Sequence, residues 1–128
     1  MIVREATRAD FRAYLHGQDF PPEWCVDDPI GYVADDDGVI VGVGLISRDK
    51  EGRWWAWMRA DEPLSAASLH RRALSLLDVA LSLAGCVYAF CDERQPGAAA
   101  WLNRLGFHPD RMMLHPTGDE RMAWVRSN

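Results

Sequence analysis

Two turn signals, "DDDG" at 35–38 and "DKEG" at 49–52, bracket the apolar run "VIVGVGLISR". Asp and Gly accept the tight backbone of a hairpin, so each signal folds the chain back on itself. "GYVAD", "VIVGVGLIS" and "RWWAWMRA" therefore read as three consecutive antiparallel strands, a meander. Side chains alternate faces along a strand. Val39, Val41, Val43 and Leu45 are expected on one face, and Ile40, Gly42, Gly44 and Ile46 on the other. The two glycines imply a helix or an aromatic ring packed closely against them. Trp55 and Trp57 share one face; Trp54, Ala56 and Met58 share the opposite one. Either Trp55 and Trp57 are core and Trp54 lies in a surface groove, or the cluster lines an acceptor pocket or a protein-binding patch.

Helical periodicity flanks the meander. "MIVRE" is a short strand. Thr7, with Asp10 three residues on, forms a capping pair for a helix that runs to about His16 and stops at Gly17. "FPPEWCVDDP" holds a loop or a short helix between its prolines. After the meander, Leu69, Ala73, Leu76, Leu77, Ala80, Leu81 and Ala84 fall on one stripe, which gives a helix over 65–84 with Ser65 as N-cap and Gly85 as stop. "CVYAFC" is apolar on both faces, like a buried central strand. "PGAAAWLNRLG" is a further helix with Pro96 near its first turn. "FHPDRMMLHP" and "ERMAWVR" close the chain as two strands around "PTGD". A strand–helix–strand step through 65–84 favours a right-handed crossover and local parallel pairing. The expected fold class is α/β with α+β character: a mixed, twisted sheet of six or seven strands flanked by helices, in one domain over 1–128.

Of the 128 residues 48% are hydrophobic, enough to bury a core, and the formal net charge is −5. That balance argues against nucleic acid as a partner, because phosphate contacts need clustered Lys and Arg. No apolar run reaches the roughly 18 residues of a membrane span. "MIVREATRADF" lacks the apolar stretch of a signal peptide. Cys25, Cys86 and Cys91 are odd in number without CxxC spacing, and Cys86 and Cys91 would point to opposite faces of one strand. The four histidines stand at no metal-ligand spacing. A reduced, cytoplasmic protein without a metal site is the expectation.

The order β-α-(α)-β-β-β-α-β-α-β-β, the opening "IVREATRADF", the hairpin "VADDDGVIVGVGLI" and the closing "QPGAAAWLNRLGF" together resemble the GNAT family, the Gcn5-related N-acetyltransferases, over nearly the whole chain. In that family a helix ending Leu-Gly-Phe precedes the sixth strand, which implies that Gly106 forms a left-handed cap and Phe107 enters the core. The resemblance implies acetyl-CoA as cofactor. Its pantetheine would pair with backbone exposed where the fourth and fifth strands splay, and its pyrophosphate would meet loop amides opening the long helix. Cofactor contacts fall on this reading at Met58 and Arg59, at Ser68, Leu69 and His70, and at Gln95, which precedes Pro96.

The loop stretch "ADEPLSAASLHRRAL" contains no glycine. Ser65, Ala66, Ala67 and Ser68 stand in as small residues, so acetyl-CoA binding weaker than is usual for the family is expected. Arg71 and Arg72 face phosphates or solvent. Asp61 and Glu62, at the end of the fourth strand, are the general-base candidates that the resemblance implies, and equally serve as partners of the helix dipole. His108 and His115 are alternative bases, better suited to surface roles. Leu102 stands where many relatives keep a tyrosine that protonates the leaving thiolate, and leucine has no proton to give.

Two functions of different class follow. One is an N-acyltransferase moving an acetyl group from acetyl-CoA to the amine of a small molecule or a protein. The other is a catalytically silent binding or structural protein of the same shape, one that resembles proteins found in bacteriophage and prophage. The acceptor and the oligomeric state, a homodimer included, stay open.

Overall fold

The computed structural model describes residues 2–17, 30–60, 63–91 and 97–128, with backbone alone at 14–17, 60 and 63–68. β1 (Ile2–Glu5) leads into α1 (Arg8–Gly17). The Thr7 N–H donates to Asp10 Oδ2 at 2.7 Å and the Asp10 N–H donates to Thr7 Oγ1 at 3.2 Å, the reciprocal pair of a capping box. Arg4 of β1 clamps the same carboxylate at 2.7 Å and reaches Asp35 on the neighbouring strand at 3.1 Å. Its guanidinium holds the Asp10 carboxyl down at about 2.

β2 (Ile30–Asp36), β3 (Val39–Arg48) and β4 (Trp54–Ala60) form the meander. Asp37 and Gly38 have φ of 51° and 88°, the positive values of a two-residue hairpin turn whose twist matches its strands. At the second turn Asp49 Oδ1 accepts from the N–H of Glu51 at 2.9 Å and of Arg53 at 3.0 Å. α2 (Pro63–Ala84) crosses to β5 (Cys86–Phe90). α3 (Ala98–Arg104) precedes the hairpin of β6 (His108–Leu114) and β7 (Glu120–Ser127). The seven strands lie in the order β1-β2-β3-β4-β5-β7-β6. β4 and β5 run parallel, joined by the α2 crossover, and the other neighbours are antiparallel.

α2 and α3 pack on one face of this sheet. Leu77, Ala80 and Leu81 of α2, Trp101 and Leu102 of α3 and Leu105 at its C-cap bury Ile46, Ala56, Val87 and Ala89. Phe11 of α1 packs on the other face against Val33, Val43, Leu45, Trp55 and Trp57. The Leu-Gly-Phe ending is a Schellman cap. The Phe107 N–H donates to the Leu102 carbonyl and the Gly106 N–H to the Asn103 carbonyl, both at 3.0 Å. Gly106 sits at φ 94°, where a side chain would be strained, and Phe107 is buried in the same cluster as Leu102.

Three sequence expectations give way. A β-bulge inserts Val41, because Ala34 faces Gly42 while Asp35 faces Ile40. Val41 consequently buries beside Ala34 and Leu69 of α2, apart from Val43 and Leu45. No bulky group leans on Gly44, where a Cβ would meet nothing within 4 Å. The close approach is at Gly31, whose Cβ would run into the Gly44 carbonyl oxygen. Finally, α2 starts at Pro63, a residue suited to the first helical position because it has no N–H to leave unpaired. Ser65 therefore lies inside the first turn and is not the cap.

Candidate functional site

β3 and β4 pair along the whole of β4, and β5 pairs with β7 throughout. Between β4 and β5 the ladder registers at one position, Trp55 opposite Tyr88. From Trp57 to Ala60, β4 registers with β3 and not with β5. A strand edge can take hydrogen bonds from an extended ligand.

On the α2 face of β4 stands Met58, half-buried against the α2–α3 cluster. The Trp101 indole N–H donates to His70 Nδ1 at 3.2 Å and ties α3 to α2. An indole only donates, so this bond places the His70 ring proton on Nε2. On the opposite face the rings form a row. Trp55 stacks on Phe90 with centroids 4.6 Å apart and on Trp57 at 5.9 Å. His115 meets Phe90 edge-on at 4.8 Å. Trp55 and Trp57 are buried, and each indole donates at 2.8 Å, to Asp49 Oδ2 and to Ser47 Oγ. These two rings are core. Trp54 is half-buried beside the α2–α3 cluster, with the Arg48 guanidinium 5.8 Å from its ring centroid.

Arg59 donates to the Ile40 carbonyl at 3.3 Å, so its head group reaches across β3. Leu69 is buried with Ala34 and Val41. Ser68, Leu69 and His70 stand in the second turn of α2, where backbone N–H groups serve the helix itself. The amides free of intrahelical partners lie one turn earlier, and because Pro63 has none they are those of Leu64 and Ser65. Asp61, Glu62 and Gln95 lie outside the described residues, as does Cys25. Leu102 is 4% exposed and packs with Trp101, Leu105 and Phe107.

His108 is exposed. His115 is not a surface residue: it is 5% exposed, because the β6–β7 turn folds it against Phe90. Its Nδ1 lies 2.6 Å from Thr117 Oγ1, whose hydroxyl donates to Asp119 Oδ1 at 2.6 Å. Arg121 donates to Asp119 at 2.7 Å and points a second nitrogen at His115 Nε2, 3.4 Å away. Arg121, then Thr117, hold the Asp119 carboxyl well below the usual carboxylate range. Burial pushes the Asp49 carboxyl up, but donors from Trp55, Arg53 and Glu51 outweigh that and keep it below its ordinary value. The tie from Asp49 to Trp55 went unseen in the sequence, although an Asp opening a tight turn, with an indole on the strand that follows, is the pattern that could have revealed it. Among the described residues no cluster of His, Cys, Asp and Glu is arranged to hold a metal ion, and no helix is long and apolar enough to cross a membrane.

Solved structures share this architecture. A ribosomal-protein-alanine N-acetyltransferase from Brucella melitensis is 14% identical and superposes with a TM-score of 0.62 over 100% of both chains. yncA from Salmonella typhimurium, solved with its cofactor acetyl-CoA, is 15% identical with a TM-score of 0.62 over 99% of this chain and 93% of its own. A spermidine N-acetyltransferase chimera of Vibrio cholerae SpeG and hSSAT is 11% identical with a TM-score of 0.56 over 99% of this chain and 96% of its own. No family model and no curated protein sequence matches the chain. The likeness is one of architecture, and on that ground the chain has the fold of the Gcn5-related N-acetyltransferases.

Proposed function

We propose that this chain is an acetyl-CoA-dependent N-acyltransferase acting on the amine of a small molecule or a protein. The observation that carries the reading is the single register between β4 and β5, at Trp55 and Tyr88, which suits a site where an extended pantetheine pairs with strand backbone. Met58 and Arg59 lie on β4. The Leu64 and Ser65 amides, at the positive end of α2, suit a pyrophosphate. Ser68, Leu69 and His70 shape the same end of the helix, and Gln95 offers a further hydrogen bond before α3. Without glycine the backbone of this region approaches phosphate less closely, which makes for weak binding.

Bound acetyl-CoA supplies a thioester open to attack by an amine. A β4 backbone N–H would polarise the thioester carbonyl oxygen. Asp61 or Glu62 accepts the proton of the incoming amine, directly or through water. Leu102 has no proton to give, so water or the proton given up by the amine would protonate the departing thiolate. The compartment that fits is the cytoplasm, where the thiols of Cys86 and Cys91 stay reduced.

Burial of Leu102 in the core favours a second reading, a binding protein that transfers nothing. Calorimetry and thermal melts with acetyl-CoA, joined to a CoA-release assay over amines and peptides, separate the two. Binding together with CoA release is expected. Binding without release on any amine points to the silent protein, and no binding at millimolar acetyl-CoA ends the cofactor proposal altogether.

A further inference from the structure

On the sheet face opposite α2, a groove of about 400 Å³ runs between the β3–β4 turn and the second half of β6. Its volume lies within the range of small-ligand sites. The charges along it are unequally engaged. Asp49 and Glu51 both turn to Arg53, with contacts of 2.9 and 3.0 Å. Asp49 also receives the Trp55 indole and two turn amides. These three charged groups thus satisfy one another. Lys50 at the tip of the turn and Arg111 across the groove are left as the outward cations. Arg111 is 60% exposed and its nearest carboxylate, its neighbour Asp110, lies 3.8 Å away. Its guanidinium is 6.0 Å from the Tyr88 ring centroid, which holds the planar fork over an aromatic surface. Met113 and the exposed Leu114 add an apolar wall beside it.

We infer that this groove binds an organic carboxylate with an apolar body, its carboxylate between Arg111 and Lys50 and its body on Met113 and Leu114. Arg111 suits the carboxylate because its fork can donate two parallel hydrogen bonds, and the apolar wall excludes a bare inorganic ion as the preferred ligand. The carboxylate could come from a free acid or from the C-terminus of a peptide; the chemistry at Arg111 is the same. The inference stands independently of acetyl transfer, since the groove lies across the sheet from α2 and uses none of the residues proposed to hold acetyl-CoA.

The test is a titration of the whole chain followed by 15N–1H correlation spectra, using 3-phenylpropionate, its neutral amide, inorganic phosphate, and an N-acetylated peptide ending in Phe as free acid or as amide. The expected result is shifts at the Trp55 indole, Arg53, Arg111 and Met113, with the acids binding at least about tenfold tighter than the amides, the effect of losing one charge-assisted hydrogen bond. The tighter of the free acid and the peptide acid identifies the source. R111Q should remove the preference for acid over amide. Because Arg111 is exposed, its fold should survive; salt titration of the unaltered protein is the second measure, and binding should weaken as salt rises. Acid and amide binding alike, phosphate binding best, shifts elsewhere, or an unchanged preference in R111Q would each overturn the inference.

Discussion

The Trp55 indole N–H donates to Asp49 Oδ2 at 2.8 Å, so the residue that opens the β3–β4 turn also pins the ring standing at the one point where β4 and β5 register. Asp49→Ala leaves that indole and two turn amides without their acceptor at a site 4% exposed. The expected loss is about 2–4 kcal/mol in urea denaturation. Asp49→Asn keeps an acceptor oxygen for the turn and should cost less. Equal losses in the two variants would show that only the charge matters.

Acid should weaken the fold over a defined window. Asp10, held at about 2 by Arg4, and Asp49, held low by its donors, both ionise at lower pH folded than unfolded. A carboxyl of that kind contributes stability above its unfolded value, near 4, and loses it as pH falls toward the folded value. Stability should hold above about pH 4 and fall between there and about pH 2. Arg4→Gln should make the fall shallower. Urea midpoints collected across the range provide the check, and parallel curves for the two proteins would contradict the account.

Two glycines on paired strands should respond oppositely to alanine. At Gly44 a methyl group enters open space under α2 and the unfolded chain loses freedom, so Gly44→Ala should gain about 0.5–1 kcal/mol. At Gly31 the methyl meets the Gly44 carbonyl, and Gly31→Ala should cost about 1–3 kcal/mol as the strands are pushed apart. Melting temperatures of the pair decide it; a shift of the same sign in both is the adverse result.

Leu102→Tyr tests whether α3 can acquire an acid. The side chain is buried among Trp101, Leu105 and Phe107, so the larger ring should cost about 1–3 kcal/mol and leave CoA release no faster. Faster release at an unchanged melting temperature would mean that the hydroxyl reaches the thioester.

Elements with a strong local signal were legible in the sequence. The turn at Asp37–Gly38, the Thr7–Asp10 pair and the Leu-Gly-Phe ending each depend on neighbours within a few residues, and each is present. The two-residue period also put Trp55 and Trp57 on one face and Trp54 on the other. What was hidden depends on distant partners. Nothing near Val41 marks it as the bulged residue, since the slip is defined by Ala34 and Asp35 on β2. His115 reads as a polar turn residue until Phe90, from another strand, is placed beneath it. Of the candidate site, the single register between β4 and β5 leaves no local trace in the sequence, because it pairs strands across a helical crossover.

The lone registered position between β4 and β5 also divides the molecule by chain segment. Every other ladder joins strands from the same half, within 2–60 or within 86–127. Backbone hydrogen bonds therefore make two locally knit pieces, and side chains sew the seam between them: α2 buries Ile46 and Ala56 from one piece and Val87 and Ala89 from the other, and on the opposite face Trp55 stacks on Phe90. In such a molecule α2 is the keystone. A chain cut after β4 leaves one fragment holding the keystone and one holding its seat, and mixing the two should restore the fold.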